Sequence, residues 1–114
     1  MNTNELSFLV LTALADGPRH GYAILREVEA ITDGAVKPQV ATLYRTVDRL
    51  AADGLIGEHA SEVVDGRFRR TYRLTERGRS ELAAEAARRA ATAKVATERL
   101  RRPAPGLDLA GGAA

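Results

Sequence analysis

The chain has 114 residues, 45% of them hydrophobic and 28% charged, which is the composition of one small globular domain. It has no cysteine, so disulfide scaffolds and cysteine-based zinc sites are excluded and a reducing, cytoplasmic location is expected. Its longest apolar run covers residues 8–11, far short of the roughly 20 residues that a membrane span needs. Residues 1–5 do not resemble the start of a signal peptide. We therefore expect a soluble domain without a membrane partner.

Charge is distributed unevenly along a chain whose formal net charge is only +2. Residues 1–36 carry two arginines against five acidic residues, whereas residues 66–79 carry six arginines against Glu76 alone. A basic segment on a nearly neutral chain indicates either a local contact with a polyanion or an arginine-rich face covered only by solvent. The charge pattern by itself leaves both interpretations open.

The first predicted helix runs from about Glu5 to Ala15, with Asn4 as its N-cap. Apolar residues occupy nearly its whole circumference, because Phe8 and Leu11 lie outside its main apolar stripe. Such a helix needs burial on two sides. We expect a domain this small to leave one side, with Phe8 and Leu11, for a second copy of the chain.

Hydrophobic spacing predicts two further helices, at about residues 21–32 and 38–53. Pro38 suits the first turn of the second one, because the N–H group that proline lacks would have no partner there. One face of this helix is apolar and carries Val40, Leu43, Val47 and Leu50. The opposite face carries small residues, a hydroxyl and two arginines: Ala41, Thr42, Arg45 and Arg49. Pairs of Glu and Lys would be more typical of a merely solvated face.

An extended segment over residues 55–64 is followed by Asp65-Gly66, a strong signal for a two-residue hairpin turn. In the return strand, Tyr72 and Leu74 are expected to anchor the hairpin to the core. Its arginine-rich tip, with Arg67, Arg69 and Arg70, is expected to project into solvent.

The last predicted helix covers residues 76–102, begins after Thr75 as its N-cap, and is about 40 Å long. It has a shallow apolar seam formed by Leu82, Ala86, Ala93, Ala96 and Leu100. The far half of this helix has nothing in its own chain to pack against, so it either stands alone or pairs with a second copy. Arg89 lies on the seam and argues against a simple coiled coil. The small residues of 103–114 predict a flexible tail.

The order of elements predicts a mainly α fold with a small β-hairpin, that is, a winged helix-turn-helix domain over residues 1–75. Residues 76–102 would form a C-terminal dimerisation helix, and 103–114 the tail. In this geometry the third helix enters the major groove of DNA, and the hairpin tip lies along the backbone or in the minor groove.

Six short motifs follow one another from about Leu6 to Leu82. They are His20-Gly21-Tyr22, Ala41-Thr42-Leu43-Tyr44, Arg49-Leu50, Gly54-Leu55-Ile56, Gly66-Arg67-Phe68-Arg69-Arg70, and Tyr72-Arg73-Leu74-Thr75 with Gly78-Arg79. In order and spacing they resemble the PadR family of transcriptional regulators, and the single C-terminal helix resembles its smaller subclass. The resemblance implies a dimeric winged-helix repressor, often responsive to a small molecule, in which the C-terminal helix makes the dimer.

The chain departs from the family pattern at three positions. Ala41 stands where the family usually has Gly, and Arg45 and Phe68 stand where it commonly has Pro. These changes are compatible with DNA binding but give no basis for transferring an operator sequence. Some members of the subclass stack flat aromatic drugs on tryptophan between subunits. This chain has no tryptophan, so that site is not transferred.

We predict that double-stranded DNA is contacted by nine residues: Lys37, Gln39, Thr42, Tyr44, Arg45, Arg49, Arg67, Arg69 and Arg70. Arg45 is the predicted base reader, because its guanidinium can donate two hydrogen bonds to guanine. Lys37 and Arg49 are expected to hold phosphates, and Thr42 to contact a phosphate or a thymine methyl group. The three hairpin arginines are expected to neutralise phosphates or enter the minor groove. Tyr44 and Gln39 contact DNA or serve only packing.

The sequence indicates neither an enzyme nor a metal site, and no cofactor is expected. His20 and His59 are isolated from each other and from any paired carboxylate pattern. His20 either approaches a phosphate or is an ordinary turn residue. None of the three serines lies in a nucleophile-elbow motif, and phosphate-binding glycine signatures are absent.

Two further interpretations remain open. An alanine-lined dimer seam can leave a cavity for a small apolar or aromatic effector. Alternatively, the chain is a winged-helix protein–protein interaction module that does not bind DNA. Acidic residues in place of Thr42, Arg45 and Arg49 would have favoured this alternative.

Overall fold

The computed structural model describes residues 4–102, so the predicted flexible tail at 103–114 lies outside the described residues. The elements in chain order are α1 (Glu5–Ala13), β1 (Arg19–His20), α2 (Gly21–Ile31), α3 (Val40–Ala52), β2 (Ile56–Val64), β3 (Arg67–Leu74) and α4 (Glu76–Arg101). The predicted fold class is confirmed: three short helices, a β-hairpin and a long C-terminal helix follow one another. No helix in residues 4–102 has the length and apolar character needed to cross a membrane.

Side-chain caps fix the starts of α1 and α4 where the sequence predicts them. Asn4 accepts a hydrogen bond from the Ser7 N–H at 2.8 Å, and Thr75 accepts one from the Gly78 N–H at 3.0 Å. The predicted start of α3 is wrong. Gln39 has an extended backbone (φ −71°, ψ 149°) and is the N-cap, so Pro38 precedes the helix instead of occupying its first turn.

The hairpin belongs to a three-stranded antiparallel sheet in the order β1-β3-β2, not to the predicted two-stranded one. The additional strand, β1, has only two residues and pairs Arg19 with Tyr72 and His20 with Thr71. A strand this short shows no alternation of polar and apolar residues, which is why the sequence pattern did not reveal it. The Asp65-Gly66 turn is confirmed, and both residues have positive φ (52° and 76°), as a two-residue turn of type I′ requires.

The core lies between the first three helices and the base of the hairpin. Leu43, Val47 and Leu50 of α3 are fully buried, as predicted. Val40 was placed on the same buried face, but 57% of it is exposed. Val40 is the first residue of α3, and the buried face of this helix begins only three residues later, at Leu43.

Helix α1 contacts three helices of its own chain, α2, α3 and α4. The prediction that Leu11 faces a second copy is therefore wrong. Leu11 is 1% exposed and belongs to the core, which leaves it no surface for a dimer contact. Leu82 likewise packs against the core from α4. Phe8 is half-buried.

Arg89 joins α4 to α1. It donates one hydrogen bond to Glu5 at 2.6 Å and another to Glu85 at 3.0 Å, and its guanidinium carbon lies 4.0 Å from the centroid of the Phe8 ring. Hydrogen bonds from Arg88 and Arg89 lower the pKa of Glu85. The arginine on the predicted seam therefore serves a contact within the chain. Beyond it, every residue of α4 from 90 to 101 is exposed.

Gly78 is predicted to be indispensable for seating α4, because a methyl group at this position would overlap the Leu55 carbonyl oxygen. Alanine normally stabilises a helix relative to glycine. We expect Gly78→Ala instead to lower the free energy of unfolding by about 3 kcal/mol, since the backbone must move apart. Urea denaturation measures this change. Ser80→Ala, at an exposed position of the same helix, is the control and should change stability by less than about 0.5 kcal/mol. A stabilised Gly78→Ala variant would contradict the prediction.

Candidate nucleic-acid interface

The N-terminal half of α3 and the segment before it present an exposed polar surface. Lys37, Gln39 and Arg45 are exposed, and Thr42 is half-buried. The Gln39 side chain makes no capping hydrogen bond, and Arg45 Nη2 lies 3.4 Å from Thr42 Oγ1. Arg45 makes no ion pair with any described residue. Its guanidinium therefore remains available to a partner outside the chain.

Arg49 has a role that the sequence did not predict. Its Nη2 donates to the hydroxyl of Ser7 at 2.5 Å, and Ser7 is buried in α1. This bond ties α3 to α1. A phosphate contact by the remaining N–H groups of Arg49 stays a prediction.

Tyr44 packs across the start of α2. A side chain on Gly21 would overlap the Tyr44 hydroxyl, so the ring lies directly against the backbone of that glycine. Tyr44 nevertheless remains 40% exposed. The packing role that the sequence left open for Tyr44 is therefore present, and part of its ring still faces solvent.

The hairpin tip, residues 62–70, is called the wing below. Arg67 and Arg70 are exposed and Arg69 is half-buried. Arg70 lies 3.8 Å from the Glu58 carboxylate of the neighbouring strand. At the base of the hairpin Leu74 is buried and Tyr72 half-buried, which confirms that these two residues anchor it to the core.

His20 connects α2 with the wing. It is the N-cap of α2, where its Nδ1 accepts a hydrogen bond from the Ala23 N–H at 3.1 Å. Its Nε2 lies 3.1 Å from Nη1 of Arg69. Burial and then the positive charge of Arg69 lower the pKa of His20, against an opposite influence of Glu62. The sequence offered a turn residue or a phosphate contact for His20 and did not reveal the cap.

An open cleft of about 670 Å³ separates the wing from the start of α2 and from the middle of α3. Of the predicted DNA-binding residues it brings together Tyr44 with Arg67, Arg69 and Arg70. The other five, Lys37, Gln39, Thr42, Arg45 and Arg49, do not line it. The aromatic rings of Tyr22, Phe68 and Tyr72 also border the cleft, and the exposure of Tyr22 and Phe68 was not predicted. Within residues 4–102 no three His, Asp or Glu side chains are grouped so that they could hold a metal ion.

The order of elements, the three-stranded sheet and the exposed third helix define a winged helix-turn-helix protein. Residues 10–84 match the model of the transcriptional regulator PadR-like family, and the chain belongs to this family. The family is one of transcriptional regulators, as the sequence resemblance implied.

Two relatives show how far the similarity extends. The chain is 41% identical over 86 residues (75% of its length) to an uncharacterised 37.1 kDa protein of a Streptomyces fradiae transposon, of which the match spans only 23%. It is 40% identical over 73 residues to a transcriptional regulator of Mycobacterium tuberculosis, with 64% of each protein covered. The chain thus spans less than a quarter of the first relative and less than two thirds of the second.

Solved structures share the fold. A transcriptional regulator from Clostridium thermocellum matches with a TM-score of 0.67 and 26% identity, over 82% of this chain and 87% of the other. Bacillus subtilis PadR, solved in complex with operator DNA, matches with a TM-score of 0.64 and 21% identity, over 71% of this chain and 46% of the other.

The depressed pKa of His20 predicts a pH-dependent stability. Because the folded state binds the His20 proton less tightly than the unfolded state does, its contribution to stability is present above the ordinary pKa of 6.5 and is lost as the pH falls. Asparagine is also a good N-cap but does not titrate. We expect the free energy of unfolding to fall less in His20→Asn than in the wild type between about pH 7.5 and about pH 5.5, as measured by urea denaturation. Ser80→Ala, at an exposed position, removes no titratable group and is the control that should keep the wild-type pH profile. Identical profiles for all three proteins would contradict the prediction.

Proposed function

We propose that the protein is a homodimeric, sequence-specific DNA-binding transcriptional regulator that represses transcription from a pseudo-palindromic operator. The observation that supports this proposal most directly is the position of the arginine-rich wing, which lies across one cleft from α3. On α3, Arg45 makes no ion pair with the described part of the chain. An exposed arginine on the recognition helix of this fold can donate to base edges in the major groove. Wing arginines at its side neutralise the adjacent backbone phosphates.

Membership of the PadR-like family supports the same function. The shared fold extends this support to a regulator that was solved on operator DNA, the Bacillus subtilis protein. Lys37, Gln39 and Thr42 would contact the backbone or bases beside Arg45. A protein with this function works in the cytoplasm, where it has access to chromosomal DNA.

Dimerisation is proposed for α4. From residue 90 to residue 101 all its side chains are exposed, and Leu100, on the proposed seam, is a large apolar residue among them. A helix this long gains its stability mainly from packing. We therefore assign DNA binding to residues 1–75 and dimerisation to residues 76–102, with Ala86, Ala93, Ala96 and Leu100 in the interface. Two-fold symmetry would place two copies of α3 about 34–36 Å apart, one turn of DNA.

A small apolar or aromatic effector is proposed to bind where the two copies of α4 meet, since pockets between subunits are common ligand sites. A thermal-shift screen with phenolic and planar cationic compounds tests this part of the proposal. A rise in the midpoint of unfolding supports an effector, and the absence of any shift counts against one.

Arg45 and Arg69 are predicted to affect DNA binding in different ways. Arg45→Ala should remove about 1–3 kcal/mol of discrimination at one base position of each half-site, because a bidentate contact to guanine is lost. Arg69→Ala should weaken binding to every sequence alike and reduce the slope of log affinity against log salt concentration by about 0.9. Fluorescence anisotropy with DNA from upstream of the protein's own gene and with a scrambled duplex measures both effects.

The outcome that would contradict this assignment is an equal loss for operator and scrambled DNA on changing Arg45. A wild-type protein that binds neither duplex at low salt would contradict the proposed function itself. It would favour a module that binds another protein.

The α4 dimer predicts a difference between two substitutions of the same residue type. Ala96 lies on the proposed seam, whereas Ala91 lies on the opposite side of the helix at 100° per residue, and both are exposed in the single chain. Ala96→Glu should shift the protein towards monomers, because it buries a charge in an apolar interface. Ala91→Glu should leave the dimer intact. Sedimentation equilibrium measures both, and an Ala96→Glu variant that dimerises like the wild type would contradict the proposed seam.

A further inference from the structure

We propose that His20 and Arg69 together form a binding site for one phosphate oxyanion of the DNA backbone, to which each residue donates a hydrogen bond. The inference rests on the proposed function and extends it to a residue outside the nine predicted DNA contacts. His20 belongs to the start of α2 and Arg69 to the wing, so one phosphate would be held by two separate elements.

The proposal depends on which nitrogen of the His20 imidazole carries the proton. Nδ1 of His20 accepts the Ala23 N–H at 3.1 Å, so Nδ1 holds a lone pair and not a proton. A neutral imidazole then has its single proton on Nε2. Arg69 approaches this same Nε2 to 3.1 Å, and a guanidinium can only donate. Two donors therefore face each other.

An acceptor placed beside these two donors resolves the conflict. An oxygen about 2.9 Å from each nitrogen forms a triangle whose third side is the 3.1 Å separation of the two nitrogens. The other protonation states do not resolve it. A proton on Nδ1 would leave the Ala23 N–H without its acceptor, and an imidazolium would add a second positive charge beside Arg69. The lowered pKa of His20 agrees with the neutral form.

The described part of the chain does not supply this acceptor. Glu62 is the cross-strand partner of Arg69, and its negative charge raises the pKa of His20. Its carboxylate nevertheless forms no ion pair within 4 Å of Arg69 or His20. The acceptor therefore comes from outside the described chain, and in the free protein solvent water can occupy the place that a bound anion would take.

The surroundings of the pair favour the DNA backbone as the source. Both residues line the cleft between the wing and α3, together with Arg67 and Arg70. A phosphate oxygen accepts several hydrogen bonds and carries the negative charge that pairs with a guanidinium, which makes such bonds short and strong. A strand of DNA lying between α3 and the wing would present its phosphates to this cleft.

A double-mutant cycle on a duplex of mixed sequence tests the proposal without knowledge of the operator. His20→Asn keeps an oxygen to cap α2 but withdraws the Nε2 donor. We expect it to weaken binding about tenfold, the loss of one hydrogen bond to a charged group. In an Arg69→Ala background the same change should cost less than about twofold, because the shared phosphate is already lost. In an Arg67→Ala background, the matched control, it should again cost about tenfold.

Nitrogen NMR of the His20 ring gives a second readout. The free protein should show the proton on Nε2, and addition of the mixed-sequence duplex should shift this Nε2–H resonance in the wild type but not in Arg69→Ala. Inorganic phosphate in place of DNA should leave it unchanged. A ring protonated at Nδ1, or the same shift with inorganic phosphate alone, would overturn the proposal.

The failure of this inference can be told apart from failure of the proposed function. If the wild type does not bind the duplex at low salt, both are overturned. If the wild type binds and the effects of His20→Asn and Arg69→Ala add independently, only the shared phosphate site is overturned, and DNA binding stands.

Discussion

The junction between α3, β2 and α4 is the contact on which the rest of the structure depends. Thr75 donates its backbone N–H to the Leu55 carbonyl at 3.1 Å and its hydroxyl to the Gly54 carbonyl at 2.7 Å. The same side chain caps α4, and Gly78 lets the first turn of that helix approach Leu55. The end of α3, the base of the hairpin and the start of α4 are thus joined within a few residues. This junction therefore sets the orientation of both the candidate DNA surface and α4.

The elements whose signals are local in sequence were predictable. Asn4 and Thr75 are N-caps because a short polar side chain can reach the N–H three residues ahead. Asp65-Gly66 makes the turn because both positions need positive φ. The buried stripe of α3 from Leu43 to Leu50 follows from helical periodicity. Fold class and most of the candidate DNA surface rest on these features.

Features that depend on contacts between distant residues were not predictable. Leu11 is buried in a core to which several helices contribute, and nothing near Leu11 in the sequence indicates those contacts. Arg89 looked like an obstacle to pairing because its partner, Glu5, lies 84 residues away. The cap by His20 could not be predicted because histidine is not among the preferred capping residues. Its approach to Arg69 follows from the register of the two-residue strand β1.

The irregularity in β2 has a consequence for how this fold can vary. The register of the hairpin shifts between Glu58 and Ala60, so His59 is an extra residue on one strand. Between the bulge and the base of the hairpin, the strands are held in the core by Ile56 and Leu74. Between the bulge and the tip, the strands are free of the core. A bulge bends and twists the strand that contains it. Moving or removing one residue here would therefore re-aim the arginines by rotation of the hairpin, while hydrophobic packing stays as it is.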